Sequence, residues 1–203
     1  MKILNLEQGS EEWLKARLGV ATASNFDKIA TSVGKESATL PKYALELATQ
    51  KLLLEPEESY KNDAMRRGNE LEPVARQAYQ EFSLETVDEV GFMISDCENY
   101  GYSPDGLVGE EGLIEIKCPQ AVTHAKYLLD DKLPADYVQQ VQGGLMVSGR
   151  KWCDFVSFHP NFREDKKLFV KRIFRDEDFI AKLQEGIQKA IALRDEYLIK
   201  MGE

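Results

Sequence analysis

The stretch Leu113-Ile-Glu-Ile-Lys117 constrains this chain more than any other. It is short, apolar and alternating, so it reads as a β-strand. Successive side chains point to opposite faces, which puts Glu115 and Lys117 together and Ile114 and Ile116 behind them. A strand of this kind must lie in a sheet with its apolar face covered. Just upstream, Ser103-Pro-Asp-Gly106 sets Asp105 in a turn between a proline and a glycine. Two acids and a lysine converging on one side of a sheet suit a divalent-cation hydrolase. Hard cations take oxygen ligands, and two carboxylates with the Ile116 carbonyl supply three. Lys117 then polarises a water or stabilises charge on a phosphate.

The rest of the chain arranges helices around that strand. Ser10 caps a helix through Leu18, with Glu11 and Glu12 in its first turn. Thr22-Ala-Ser-Asn25 opens a second short helix. Pro41 starts a third, with Tyr43, Leu47 and Leu54 near helical spacing. A fourth covers Ala64 to Phe82, and Pro73 must begin or kink it. Thr86 to Ser95 is strand-like, with Gly91 a bulge. Asn99–Ser103, Gly106–Val108 and Leu113–Lys117 suggest a meander. A helix after Val122 follows, then one from Pro134 to about Val147. Strands at Lys151–His159 and Lys167–Phe174 precede a closing helix with Phe179, Ile180, Leu183, Ile187, Ala190, Ile191 and Leu198 on one face. The expected fold is α/β (α+β), a central mixed β-sheet flanked by helices, in a single domain over residues 1–203.

Net charge is −9 over 203 residues, awkward for a protein that binds phosphates. Taken alone it favours a small-molecule enzyme or an interaction module. A basic stripe can coexist with an acidic exterior, and Lys15 with Arg17, Arg66 with Arg67, and Lys166, Lys167, Lys171 and Arg172 are its candidates. Three scattered cysteines, Cys97, Cys118 and Cys153, argue against a disulfide framework or a zinc ribbon, and read as reduced, buried thiols. No apolar run reaches the ~18 residues of a membrane span. The N-terminal segment is too short for a signal peptide, so a cytoplasmic location is expected.

Three further segments carry candidate chemistry. In Arg66-Arg-Gly-Asn-Glu-Leu-Glu-Pro73 the acids Glu70 and Glu72 diverge by about 200° on a helix, so only one easily faces a site. In Arg17-Leu-Gly-Val-Ala-Thr-Ala-Ser24 an arginine followed by a hydroxyl-rich cap, Thr22 and Ser24, would form an anion site. In Tyr137-Val-Gln-Gln-Val-Gln142, Gln140 could position a water or a phosphate. His124 and His159 show no partner pattern and take no role.

In this order, Trp13 with Arg17–Ser24, Gly68–Pro73, Ser103–Gly106, Glu115–Pro119 and Gln140–Gln142 resemble the λ exonuclease-like, YqaJ-type viral recombinase alkaline exonucleases. These belong to the PD-(D/E)xK nuclease superfamily, whose core is restriction-endonuclease-like. The match spans about Gln8 to Gly144, and the last third agrees only in layout. The resemblance implies a metal site of Glu72, Asp105, Glu115 and the Ile116 carbonyl, and it selects Glu72 over Glu70. It makes Lys117 the catalytic lysine and Gln140 an active-site residue. It assigns Arg17 and Ser24, with Thr22 and Arg66 beside them, to the 5′-phosphate and the DNA.

The implied activity is magnesium-dependent 5′→3′ digestion of one strand of linear duplex DNA to mononucleotides. Two Mg2+ ions per site are expected, ~3.5–4 Å apart, with Mn2+ able to substitute. The 3′ single-stranded overhang passes to a single-strand annealing protein, and processive relatives form a ring-shaped homotrimer. A closed ring holds its substrate without strong phosphate affinity, which reconciles the acidic charge with DNA. The expected setting is a bacterial host cell, with a phage- or prophage-encoded gene. The alternatives are a structure-selective endonuclease or repair nuclease of the same superfamily, or a non-catalytic DNA-binding or partner-docking module on that fold.

Overall fold

Helices pack on both faces of a five-stranded mixed sheet, with a smaller four-stranded sheet beside it, in a computed structural model that describes residues 1–53, 55–56 and 63–203. The chain runs β1 (Lys2–Leu4), α1 (Glu11–Ala16), β2 (Ala21–Thr22), a 3-10 turn (Ala23–Lys28), α2 (Leu40–Leu52) and α3 (Asp63–Ser83). Then come β3 (Val87–Asp88), β4 (Phe92–Ile94), β5 (Tyr100–Tyr102), β6 (Gly106–Val108) and β7 (Gly112–Lys117). It closes with α4 (Ala121–Asp130), α5 (Val138–Ser148), β8 (Trp152–Phe158), β9 (Leu168–Phe174) and α6 (Glu177–Met201).

The larger sheet has the order β3-β6-β7-β8-β9. β7 sits at its centre, antiparallel to β6 and parallel to β8, with Glu115 opposite Phe155 and Lys117 opposite Ser157. The alternation read from the sequence decides what lies on each side. Ile114 and Ile116 pack with Val156 and Phe158 against Ala75 and Tyr79 of α3. Leu113 and Cys153 turn the other way, into a core with Phe26, Leu47, Val141, Leu145, Leu183 and Ile187. Glu115 and Lys117 share that second face, so α5 passes directly over them.

The smaller sheet, β1-β4-β5-β2, changes several sequence expectations. The N-terminal third is not purely helical, because β1 and β2 are strands. The single strand expected over Thr86–Ser95 is two: β3 pairs with β6, and β4 pairs with β1 and β5. Gly91, expected as a bulge, is where the chain crosses between sheets. A Cβ there would lie 2.2 Å from the Leu6 carbonyl oxygen, so close backbone approach demands glycine. The expected meander breaks for the same reason, since β5 belongs to the small sheet and only β6 and β7 form a hairpin.

The helices match more closely. Ser10 caps α1 by accepting from the Trp13 N–H at 3.2 Å, and the helix ends at Ala16 with Arg17 as its C-cap, short of Leu18. The second helix is a 3-10 turn in which Thr22 makes no side-chain cap. α3 runs straight through Pro73, whose ring lies on the exposed side. Leu54, expected on the face of α2, lies outside the described residues. The helix expected from Pro134 begins as a 3-10 turn, Ala135–Tyr137, before α5. Asp176 caps α6 through the Phe179 N–H at 2.9 Å. From that helix the buried Arg194 donates to the Gly19 carbonyl at 3.0 Å and to Asn99 Oδ1 at 2.9 Å, anchoring the segment after Arg17.

Among the described residues no helix is long and apolar enough to cross a membrane. The three cysteines are free, but only Cys153 is fully buried, and Cys97 is exposed. Several members of the candidate basic stripe are engaged with acids. Lys15 pairs with Glu11, Lys167 with Glu164, Lys171 with Asp131 and Arg172 with Asp154.

Candidate active site

Glu115 is the centre of the site. It is 1% exposed, and a buried carboxylate must be satisfied by donors or it costs several kcal/mol. Three donors meet it. Lys117 Nζ and Gln140 Nε2 both reach Oε1 at 2.6 Å, and the Tyr102 hydroxyl reaches Oε2 at 2.9 Å. These donors come from β7, α5 and β5. α5 can come this near because residue 144 is glycine: a Cβ there would stand 2.8 Å from the Tyr102 ring.

Lys117 is three-quarters buried and lies 5.2 Å from the centre of the Tyr137 ring. Burial works against its charge. The Glu115 and Asp105 carboxylates outweigh that effect and raise its pKa, so the ammonium persists throughout the neutral and alkaline range.

Asp105 occupies the turn between β5 and β6. Its Oδ2 accepts the Ile116 main-chain N–H at 2.6 Å, tying the turn to the central strand. Gln8 Nε2 braces the turn by donating to the Pro104 carbonyl at 2.9 Å. Burial first, and then the Glu115 charge, push the Asp105 carboxyl well above the usual carboxylate range. On α3, Glu70 is exposed while Glu72 is half-buried and lines the cleft in front of Asp105. The helical divergence of the two acids thus resolves toward Glu72. Burial raises its pKa too, partly offset by Arg76, whose Nη2 lies 2.5 Å from Glu72 Oε1.

The cleft, about 1460 Å³, runs from Glu72 and Asp105 past Gln8 to Trp13, Arg17 and Asn25. At that far end Arg17 stacks 4.0 Å from the centre of the Trp13 ring and donates to Ser103 Oγ at 3.1 Å. Trp13 Nε1 donates to the same hydroxyl at 3.0 Å. Among the described residues no carboxylate pairs with Arg17. Burial lowers its pKa to about 10, so it stays cationic at neutral pH. A largely buried cation that no carboxylate meets among the described residues, opening on a cleft, is a site for an anion.

The hydroxyls expected beside Arg17 sit differently from one another. Thr22 is buried, its Oγ1 accepting from Asn25 Nδ2 at 3.0 Å, while Ser24 is exposed at the start of the 3-10 turn. Arg66 lies on the exposed surface of α3 and is not among the residues lining the cleft.

Whether these residues suit a divalent metal can be judged from their partners. Among the described residues no three Asp, Glu, His or Cys side chains form a ready-made metal cage. Glu72 turns to Arg76, Asp105 to the Ile116 N–H, and Glu115 to Lys117, Gln140 and Tyr102. The donor chemistry fits a hard cation: three carboxyl groups with the Ile116 carbonyl beside them, all oxygen. Burial chiefly, and then the neighbouring Glu115 charge, raise the Asp105 carboxyl, burial raises that of Glu72, and a bound cation favours the charged form of both.

Two residues around the site, Tyr102 and Arg76, escaped the sequence reading, and a third, Arg67, entered it only as part of the basic stripe. Tyr102 and Arg76 make the bonds above. Arg67 donates to the carbonyls of Cys118 at 3.2 Å and Pro119 at 2.7 Å, pinning α3 to the end of β7. Arg76 pairs with Glu72 one helical turn earlier, an i,i+4 spacing that the sequence does offer, whereas Tyr102 and Arg67 have no local signature, their partners lying 13 and 51 or 52 residues away. His124 and His159, given no role, turn out to be packed together at 6.1 Å, with His124 bonded to Ser157 Oγ and the Lys166 carbonyl, each at 2.8 Å.

Comparison with known proteins places this geometry. The model of the YqaJ-like viral recombinase domain matches residues 12–151. The chain is 38% identical to an alkaline exonuclease (LHK-Exo) from Laribacter hongkongensis, with a TM-score of 0.87 over 95% of this chain and 96% of that one. The same enzyme in complex with dAMP gives a TM-score of 0.86 at the same identity and coverage. A phage related exonuclease from Haemophilus somnus 129PT shares the fold at 17% identity, with a TM-score of 0.74 over 90% of this chain and 96% of that one. The likeness takes in β8, β9 and α6, beyond the part legible in the sequence. No curated protein sequence matches the chain.

Proposed function

The chain belongs to the YqaJ-like viral recombinase family, and on that premise we propose that it is a magnesium-dependent 5′→3′ exonuclease of linear duplex DNA. The coarser part of this reading, a DNA exonuclease, follows from the family and from the close likeness to an alkaline exonuclease. The polarity, the metal and the products are our inference.

One observation carries it: Arg17, which has no carboxylate partner among the described residues, and the carboxylates Glu72 and Asp105 line the same cleft. A strand entering with its 5′-phosphate on Arg17 lays its first phosphodiester toward the carboxylates. Hydrolysis there releases a 5′-mononucleotide and exposes a new 5′ end, so digestion proceeds 5′→3′ and leaves a 3′ overhang. The related exonuclease forms a complex with dAMP, a mononucleotide, which supports a mononucleotide product.

In this reading Glu72, Asp105, Glu115 and the Ile116 carbonyl hold two Mg2+ ions, or Mn2+ in their place. The bound metal supplies charge neutralisation at the scissile phosphate and activation of water. The remaining work belongs to the side chains. Lys117 keeps a fixed positive charge beside the reacting phosphate and orients the attacking water. Gln140 and Tyr102 hold Glu115 in one rotamer, so its carboxylate does not swing away. Arg17 receives the 5′-phosphate, with Ser24 and Thr22 beside it, and Arg66 meets the DNA backbone outside the cleft. A single-strand annealing protein then takes the overhang, and a ring-shaped homotrimer around the duplex accounts for DNA binding by a chain of net charge −9.

The test is a time course on linear duplex DNA labelled at the 5′ or the 3′ end, alongside nicked and closed circles, with Mg2+ or EDTA. Early release of the 5′ label as mononucleotide, only from linear DNA and only with Mg2+, is expected. Cutting of closed circles would move the assignment to the endonuclease alternative.

A further inference from the structure

Close to the carboxylates stands a cation that the chemistry above leaves unused. Arg76 follows Glu72 by one helical turn, and its side chain is only 10% exposed. Its three nitrogens serve three different segments. Nη2 reaches Glu72 Oε1 at 2.5 Å, on its own helix α3. Nε donates to the Asp105 carbonyl at 3.0 Å, in the turn before β6. Nη1 lies 2.9 Å from Glu89 Oε2, in the segment joining β3 to β4. All four residues line the cleft.

A guanidinium is a rigid planar fork, so three simultaneous bonds fix the directions of its partners as well as their distances. What Arg76 leaves open matters as much. It takes only Oε1 of Glu72 and only the main-chain oxygen of Asp105, whose Oδ2 is bonded to Ile116. Among the described residues Glu72 Oε2 and Asp105 Oδ1 have no hydrogen-bond partner, one oxygen from each carboxyl group.

We propose that Arg76 is a positioning residue that locks Glu72 on α3 to the Asp105 turn, so that one free oxygen of each is presented together to a divalent cation. This rests on reading Glu72 and Asp105 as metal-holding groups. Losing an outer group that orients a metal ligand typically weakens metal binding by ~10–100-fold.

The experiment titrates Mn2+ into the DNA-free full chain by calorimetry, for the wild type and for Arg76→Lys, Arg76→Gln and Glu72→Gln, with melting temperatures alongside. Arg76→Lys keeps the charge and loses the fork. It is expected to weaken Mn2+ binding by ~10-fold or more with little change in melting temperature. The Mn2+ concentration for half-maximal digestion should rise by a similar factor, while the rate at saturating metal largely recovers. Arg76→Gln should weaken binding at least as much. If both variants bind Mn2+ like the wild type, whatever happens to their melting temperatures, Arg76 is merely structural and the proposal is overturned. Glu72→Gln tests the premise separately: unchanged binding there removes Glu72 from the metal site, and weakened binding there beside unchanged Arg76 variants overturns only the positioning role.

Discussion

The Tyr102 hydroxyl donates to Glu115 Oε2 at 2.9 Å, joining the small sheet to the central strand of the large one through the buried carboxylate. Strand β5 therefore braces the site although it contributes no acid. Tyr102→Phe keeps the ring that packs beside Gly144 and removes only this donor. A hydrogen bond to a charged group is worth about 1.5–3 kcal/mol, so a loss of about that size is expected in chemical denaturation. Exonuclease rate should fall as well, because Glu115 gains freedom. An unchanged stability would mean that the bond contributes nothing net.

Lys117→Ala removes the ammonium that Glu115 and Asp105 hold protonated. Gln140 and Tyr102 still satisfy Glu115, so the circular-dichroism spectrum should be unaltered. Turnover should drop by ~100-fold or more, the scale for a preorganised charge-stabilising group. A near-normal rate in single-turnover kinetics would take Lys117 out of the mechanism.

Arg17→Ala should abolish the preference for 5′-phosphorylated over 5′-hydroxyl ends. Arg17 lacks a carboxylate partner among the described residues, so its removal leaves no orphaned acid and the fold should persist. Competition between the two duplexes in one reaction reads the effect directly. An equal loss on both would show that Arg17 does not sense the end.

The thiols should separate by pH. Burial, and next the Glu72 charge, push Cys118 up to about 11. At Cys97 burial is outweighed by hydrogen bonds from Ser95 and Asn99, which lower the pKa below the usual thiol value. The thiolate is the nucleophile, so each thiol gains reactivity as pH rises through its own pKa. At pH 8 iodoacetamide should label Cys97 well before Cys118, read by peptide mass spectrometry. The reverse order would contradict the burial of Cys118 at the end of β7.

What the sequence disclosed, and what it hid, follows from the range of the interactions. Leu113–Lys117 was readable because a period of two over an apolar run has one structural meaning, and the same holds for the long amphipathic α6. β1 and β2 were invisible: three and two residues cannot show a period. The Thr86–Ser95 stretch misled because strand-forming residues lie on both sides of Gly91, while the steric reason for the break is the backbone of Leu4 and Leu6, more than eighty residues away. In the site, the acids and Lys117 sit in short motifs and were recoverable. Tyr102 reaches a partner 13 residues away and Arg76 one 29 residues away, contacts that no local pattern encodes, although the i,i+4 spacing of Glu72 and Arg76 was there to be read.

The most direct measurement is anomalous scattering from a crystal soaked in Mn2+. Peaks flanked by Glu72, Asp105 and Glu115, with the Ile116 carbonyl beside them, are the expected result. A map with Mn2+ bound elsewhere and these three carboxylates still engaged only with Arg76, the Ile116 N–H and Lys117 would contradict it.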